Sequence, residues 1–164
     1  MTTPTCPPWY EEASMPALLR HARYTYGQAM RRALAEAGYD DLPKNGLYII
    51  GGLAVEGPGI PLGQLIEDLR ISKQAAGQLV DTLVTRGYLE RTVDSEDRRK
   101  LNITLTERGR AAAEAQLAAR KKIDAELIAC VGQEDVNRTR RMLAVLIDIG
   151  RQPGAPNSEI HGDE

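Results

Sequence analysis

The 164-residue sequence is poor in the residues that build many catalytic and metal sites. It has no phenylalanine, 4% aromatic residues, two cysteines and two histidines. Cys6 and Cys130 lie far apart and outside any CxxC or Cys/His cluster, which argues against a disulfide framework and a zinc site. Neither histidine, His21 or His161, belongs to a Ser/His/Asp or metal-spaced pattern. The sequence therefore predicts a protein that is not an enzyme and that needs no cofactor or metal.

Long apolar runs are also absent. No run approaches the roughly 20 residues that a membrane-spanning helix needs, and the N-terminus lacks a signal-peptide pattern. We therefore expect a cytoplasmic protein without a membrane partner. A chain of this length can bury one sizeable core, and the scarcity of aromatics means that Leu, Ile, Val and Ala must build it.

The chain as a whole has no excess of positive charge, because its net charge is −2. Such a balance disfavours a nucleic-acid partner unless the charges are unevenly placed. Between Arg70 and Lys100 there are seven Lys/Arg and five Asp/Glu, a local charge of +2. DNA binding would therefore depend on where the cations lie more than on their number.

The most informative stretch runs from Arg91 to Gly109, RTVDSEDRRKLNITLTERG. Two segments of β character flank a charged tip at residues 94–100, and apolar and polar residues alternate from Leu101 to Leu105, which predicts a strand with one buried face. Thr106 is placed to cap a new helix. The pattern indicates a hairpin that carries two arginines at its end, as in the wing of a DNA-binding protein.

Two short helices precede this hairpin. The apolar spacing predicts one helix over 61–69, then a tight turn at Arg70-Ile71. A second helix follows from Lys73 to Arg86, with Ser72 as its cap and Gly87 at its end. Helix, turn, helix and hairpin in this order predict a winged helix-turn-helix.

Longer amphipathic helices flank this region, over 12–37, 107–130 and 134–149, and a glycine-weakened helix is predicted over 43–55. The predicted fold is mainly α with a small β-hairpin wing, a winged helix-turn-helix reading head joined to a helical dimerisation region. The predicted segments are a flexible leader (1–11), an N-terminal dimerisation helix (12–41), the reading head (42–105), C-terminal dimerisation helices (106–150) and a disordered tail (151–164).

A helix that reads the major groove needs small or polar residues near its N-terminus. Glutamine pairs with adenine, lysine with guanine or phosphate, and alanine contacts a thymine methyl. On the hairpin, Arg98 is predicted to enter the minor groove, with Arg99 and Lys100 nearer to phosphates. The predicted DNA-binding residues are Ser72, Lys73, Gln74, Ala75, Gln78, Arg86, Arg98, Arg99 and Lys100.

The two runs ISKQAAGQLVDTLVTRGYLER (71–91) and DSEDRRKLNITLTERG (94–109) resemble the MarR family of bacterial transcriptional regulators. The resemblance covers about residues 12–149. It implies a homodimer held by the first and last two helices, a near-palindromic double-stranded DNA operator, and repression released by a signal. The chain departs from the family at Arg70, where glycine is frequent, and at Gln78 and Thr82, where arginine is common.

Relatives often bind phenolic or other amphipathic small molecules between the dimer helices and the reading head. The resemblance therefore implies a ligand site for which Arg20, His21, Tyr24 and Tyr48 are the predicted contacts, with Tyr26 a further candidate. Two alternatives stay open at this stage. The same surface could bind a protein without specific DNA recognition, or a cysteine thiol could act as a redox sensor, although neither cysteine has an obvious cationic neighbour.

Overall fold

The computed structural model describes residues 9–56, 60–61, 67, 69–93 and 101–151. They form two compact units, one within Cys6–Ile123 and the other from Asp124 onward. The elements, in chain order, are α1 (Trp9–Glu12), α2 (Met15–Glu36), α3 (Gly46–Glu56), β1 (Ile60–Pro61), α4 (Lys73–Thr85), β2 (Leu89–Val93), β3 (Leu101–Leu105), α5 (Glu107–Val131) and α6 (Gln133–Arg151). The predicted fold class, mainly helical with a β-hairpin, is confirmed.

Helix α2 is shorter at its N-terminus than the sequence pattern predicts. It begins at Met15, with a proline in its first turn, because proline lacks an N–H and is best tolerated there. The separate helix α1 lies partly in the segment that was expected to be a flexible leader. Gly38, at φ 83°, follows the C-terminus of α2, where glycine adopts the left-handed conformation without a steric cost.

Helix α3 begins at Gly46, three residues later than predicted, and packs closely against two neighbours. A Cβ on Gly46 would lie 2.9 Å from a methyl carbon of Leu83 in α4. A Cβ on Gly51 would lie 2.8 Å from the side-chain nitrogen of Gln116 in α5. Gly51 therefore leaves room for a close neighbour, whereas a Cβ on Gly52 would meet nothing within 4 Å.

The three strands form an antiparallel sheet in the order β1-β3-β2. Leu89 pairs with Leu105, and Val93 pairs with Leu101 at the outer end of the hairpin. Ile103 is 2% and Leu105 8% exposed, so the predicted alternation in β3 holds. The helix predicted over 61–69 lies largely outside the described residues.

The core of the first unit joins α2, α3, α4, the hairpin and the start of α5. Its buried members are Leu34, Leu47, Ile49, Ile50, Leu53, Val80, Leu83, Tyr88, Leu89, Ile103, Leu105, Ala112 and Ala113. Aliphatic residues dominate it, as the composition requires. In α4, Val80 and Leu83 are buried, and Leu79 and Val84 pack against the same core.

Helices α5 and α6 extend one or two residues beyond their predicted ends. Gly132, at φ 84°, lies between them. In α6, Val136 is buried, but large apolar side chains further along the helix are exposed, namely Met142, Val145, Leu146, Ile147 and Ile149. No helix in the described part of the chain is long and apolar enough to cross a bilayer.

Candidate nucleic-acid interface

The N-terminus of α4 presents a polar face to solvent. Ser72, in an extended conformation at φ −62° and ψ 151°, accepts a hydrogen bond at its Oγ from the backbone N–H of Ala75, 3.2 Å away, so the predicted cap is confirmed. Lys73, Gln74 and Gln78 are exposed together with Ser72 and Ala75. The opposite face is buried in the core through Ala76, Val80 and Leu83. Packing therefore fixes which side chains α4 can offer to a partner.

The middle of α4 contains a glycine with open space beside it. A Cβ on Gly77 would meet no atom within 4 Å among the described residues. Close packing against a neighbouring helix therefore does not account for this glycine. It leaves the outer face of α4 flat between Gln74 and Gln78, one turn apart.

The turn before α4 is made by a non-glycine residue in the left-handed region. Arg70 has φ 51°, and its N–H donates to the carbonyl of Glu67 over 3.2 Å. A side chain in this region is disfavoured by about 1–2 kcal/mol relative to the right-handed region. Glycine would be free of this cost, which gives a physical reason for the glycine that relatives often carry at this turn.

The root of the hairpin is tied to α4 by an ion pair. The guanidinium of Arg91 in β2 donates to the Oδ1 carboxylate oxygen of Asp81. Both side chains are substantially exposed, so the pair contributes little to stability but limits the directions in which the hairpin leaves the core. The tip, with Arg98, Arg99 and Lys100, lies outside the described residues.

The C-terminus of α4 is anchored by residues that are distant in the sequence. Arg86 donates to the backbone carbonyl of Asp41, and the buried Tyr88 hydroxyl donates to the Asp41 carboxylate. Arg108 donates to that carboxylate over 2.9 Å and to the carbonyl of Arg86 over 2.6 Å. Its guanidinium carbon also lies 4.4 Å from the centre of the Tyr88 ring. These four residues, Asp41, Arg86, Tyr88 and Arg108, form an anchor that joins α4, the hairpin root and the start of α5.

Burial and the hydrogen bond to Asp41 raise the pKa of Tyr88 well above its usual value. The nearby Arg108 guanidinium opposes this shift but does not cancel it. Asp41 lies 47 residues before Tyr88 and 67 residues before Arg108, so no local spacing in the sequence connects these three partners. Arg86, a predicted DNA contact, is held in this anchor at the far end of α4 from Ser72.

The junction between the hairpin and α5 is very tight. Thr106 Oγ1 donates to the carbonyl of Gly87 over 2.6 Å and accepts from the N–H of Gly109 over 3.0 Å, so its predicted role as a cap is confirmed. A Cβ on Gly109 would lie only 2.1 Å from the carbonyl oxygen of Tyr88. Glycine is therefore needed at position 109, because the backbone of α5 touches the backbone between α4 and β2.

A groove of about 1040 Å³ runs between α2, α3, the hairpin and α5, all within the first unit. From α2 and α3 it is lined by Tyr26, Met30, Leu47, Tyr48, Gly51, Gly52, Leu53 and Ala54. The hairpin and α5 contribute Glu90, Thr104, Leu105, Arg110, Ala113, Glu114, Gln116, Leu117 and Arg120. Its lining is predominantly apolar, which suits an aromatic or amphipathic small molecule.

Among the predicted ligand residues, Tyr48 lines this groove, as does the further candidate Tyr26. The guanidinium of Arg23 lies 5.0 Å from the centre of the Tyr48 ring. Arg20, His21 and Tyr24 are exposed on α2 and do not line the groove, and Tyr24 is 59% exposed. The structure thus brings one of the four predicted contacts to the groove.

Cys130, the described cysteine, is exposed near the C-terminus of α5, and Cys6 lies outside the described residues. Within the described ranges, no group of three His, Cys, Asp or Glu side chains is arranged to hold a metal ion.

The comparisons with known proteins agree on one family. The model of the MarR family matches residues 41–100, which span α3, α4 and most of the hairpin region. This stretch of the chain is therefore similar to the MarR family. No curated protein sequence matches it.

Several solved MarR-family structures share the fold. The MarR regulator of Oenococcus oeni is 18% identical at a TM-score of 0.64, covering 82% of this chain and 99% of its own. The Staphylococcus aureus MepR–DNA complex is 20% identical at a TM-score of 0.68, covering 84% and 96%. A Mycobacterium tuberculosis MarR-family protein in complex with salicylic acid is 25% identical at a TM-score of 0.57, covering 82% and 96%.

Proposed function

We propose that this chain is a MarR-family regulator of transcription that binds specific DNA sequences and whose helix α4 enters the major groove. The exposed face of α4, with Lys73, Gln74 and Gln78 on a capped helix, carries this proposal. Glutamine amides can pair bidentately with adenine, and the lysine can reach guanine or a phosphate. The S. aureus relative was solved with DNA, which supports the same use of the shared fold here.

The hairpin supplies the second DNA contact in this proposal. The Asp81–Arg91 ion pair holds the root of the hairpin beside α4. Arg98 is proposed to enter the minor groove, and Arg99 and Lys100 to contact phosphates. Because α4 itself has a single cation near its N-terminus, the three hairpin cations would supply a large part of the salt-dependent affinity.

A homodimer is proposed from the second unit. Met142, Val145, Leu146 and Ile149 recur at helical spacing and are all exposed on α6. An apolar face of this extent is unfavourable in water and is typical of an interface. A two-fold dimer would present two α4 helices to half-sites about 34 Å apart, on a near-palindromic operator. Sedimentation at micromolar concentration should therefore show a dimer, and a folded monomer would contradict it.

Release from DNA by a small molecule completes the proposal, with the protein acting as a repressor. The groove reaches from α2 to Glu90 and Thr104 of the hairpin, so an occupant would contact both the long helix and the wing strands. The salicylic acid complex of the M. tuberculosis relative supports a small aromatic ligand in this family. Occupancy would change the direction of the hairpin and weaken DNA binding.

DNA binding is best tested by fluorescence anisotropy with DNA from upstream of the protein's own gene, compared with a shuffled sequence of equal length. We expect a tight, sequence-dependent complex that weakens steeply as salt rises. Gln74→Ala or Gln78→Ala should reduce the preference for the operator more than binding to the shuffled DNA. Gln133→Ala, at the start of α6, is the matched control and should change neither.

Arg98→Ala should weaken the operator complex, because it removes the minor-groove contact. Arg99→Ala should weaken both complexes and lower the salt dependence by about one phosphate contact. An equal loss on both DNAs for the glutamine variants would make these side chains phosphate contacts. Binding that is independent of sequence and salt would refute the proposed function and favour a protein-interaction module.

A further inference from the structure

The charged residues of the groove balance one another at its rim. Glu90, Glu114, Arg110 and Arg120 line it and are exposed. Arg110 also donates to the carbonyl of Leu105 over 2.7 Å, so part of its guanidinium is already used. Two carboxylates and two guanidinium groups leave no net positive charge for an anionic ligand. These four lining side chains therefore give no net preference for a carboxylate, and Arg23, beside the Tyr48 ring, is not one of the lining residues.

The floor of the groove contains a buried polar side chain with unmet hydrogen-bonding capacity. Gln116 is 4% exposed, and its Oε1 has no hydrogen-bond partner among the described residues. Its amide fits there because Gly51 has no side chain, as a Cβ on Gly51 would lie 2.8 Å from Nε2. Native proteins rarely leave such a group unpaired. Both Gly51 and Gln116 line the groove, so an occupant would lie beside this side chain.

We propose that the groove binds an uncharged aromatic ligand with an amide-like donor and acceptor, and that Gln116 is the residue that selects this group. This inference rests on the small-molecule site of the proposed function and names its ligand class. A primary amide can accept from Nε2 and donate to Oε1 once the Gln116 amide has turned toward the groove, which pairs both groups. A carboxylate can only accept, would leave Oε1 unpaired, and would lose hydration on entering an apolar site.

Gly52 offers a way to close the groove without disturbing its walls. It lines the groove, and a Cβ there would meet nothing within 4 Å. A leucine at this position would therefore occupy space that the ligand needs. Gly77 in α4 also has open space beside it but lies outside the groove, so Gly77→Leu is a matched control for the same change in a helix.

The test compares salicylamide with salicylate, which share a ring and hydroxyl but differ in the amide and the carboxylate. Each is titrated into the full-length protein without DNA by calorimetry or ligand-observed NMR, at about pH 6.5, where the carboxylate of salicylate is ionised. We expect salicylamide to bind about tenfold more tightly. Gln116→Leu should weaken salicylamide about tenfold, the value of one good hydrogen bond, and remove the preference.

Gly52→Leu should abolish binding of salicylamide, and Gly77→Leu should leave it unchanged. Circular dichroism confirms that the variants are folded, and Gln116→Met replaces Gln116→Leu if the latter is not. Equal or tighter binding of salicylate, no binding of salicylamide to the unmodified protein, or an unchanged preference in the Gln116 variant would each overturn the inference. Because the titrations contain no DNA, they remain decisive even if the protein fails to bind an operator.

Discussion

Replacing Gly109 by alanine tests the contact between the start of α5 and the backbone of Tyr88, which lies between α4 and β2. The added Cβ would lie 2.1 Å from the Tyr88 carbonyl oxygen and 3.1 Å from a methyl carbon of Leu105. An ordinary carbon–oxygen contact is about 3.3 Å or longer, so the two backbone segments must separate by about 1 Å. The Tyr88 carbonyl also accepts from the N–H and hydroxyl of Thr106, so the shift would strain the cap of α5 as well.

The magnitude follows from what can move. Overpacking usually costs about 1–3 kcal/mol, and the upper end applies because a carbonyl in the main chain cannot rotate away as a side chain can. We therefore expect Gly109→Ala to lower the free energy of unfolding by about 3 kcal/mol. For a chain of this length this corresponds to a fall in Tm of about 6–12 °C.

Gly77→Ala is the matched control, because it makes the same change where a Cβ meets nothing within 4 Å. It should raise stability by up to about 1 kcal/mol through helix propensity alone. Urea unfolding followed by circular dichroism at one fixed protein concentration measures both variants, since association would otherwise alter the midpoint. Equal midpoints for Gly109→Ala and the unmodified protein would refute the close contact.

Three further predictions concern the turn, the anchor and the hairpin root. Arg70→Gly should stabilise the fold by about 0.5–1 kcal/mol, because glycine adopts the left-handed backbone conformation without a steric cost, although it also makes the unfolded chain more flexible. Thermal unfolding measures the change, and a loss of stability would contradict the prediction. A tyrosine in the unfolded chain loses its proton at about pH 10, whereas the raised pKa keeps Tyr88 protonated in the folded protein. The contribution of Tyr88 to the free energy of unfolding is therefore complete below that pH and is lost progressively as the pH rises further. Tyr88→Phe should lower the free energy of unfolding by about 1–2 kcal/mol near neutral pH, because the hydrogen bond to Asp41 is lost. Urea unfolding should also show a smaller loss of stability above about pH 10 for this variant than for the unmodified protein, and an identical loss in both would refute the prediction. Asp81→Asn should lower the free energy of unfolding by less than about 1 kcal/mol at low salt and should not change it at about 1 M salt, because the ion pair of Asp81 with Arg91 is exposed. A larger loss, or one that does not depend on salt, would show that Asp81 stabilises the fold in some way other than this ion pair.

The order of elements and the local signals at their ends were predictable because they depend on residues a few positions apart. Ser72 and Thr106 cap their helices, and Gly38 and Gly87 have the positive φ that ends a helix. Such features rely on short-range hydrogen bonds and backbone sterics, which a local pattern records. The alternation in β3 likewise predicted which of its side chains are buried.

The anchor and the groove could not be predicted in this way. Asp41, Tyr88 and Arg108 meet only because the segment between α2 and α3, the hairpin root and α5 pack together, and their spacing carries no signal. In the groove, Tyr48 was found from its residue type and place in the chain, whereas Gln116 has no distinguishing neighbour in the sequence.

The sequence by itself determined the helical character, the winged helix-turn-helix order and the polar face of α4, since helical and strand periodicity already encode which side is apolar. Only the tertiary structure decided that Arg86 belongs to an anchor, that Gly109 allows two backbones to touch, and that Gly51 makes room for the amide of Gln116. The reason is physical. Contacts between distant segments depend on atomic distances that arise when the elements pack, and no local pattern contains them.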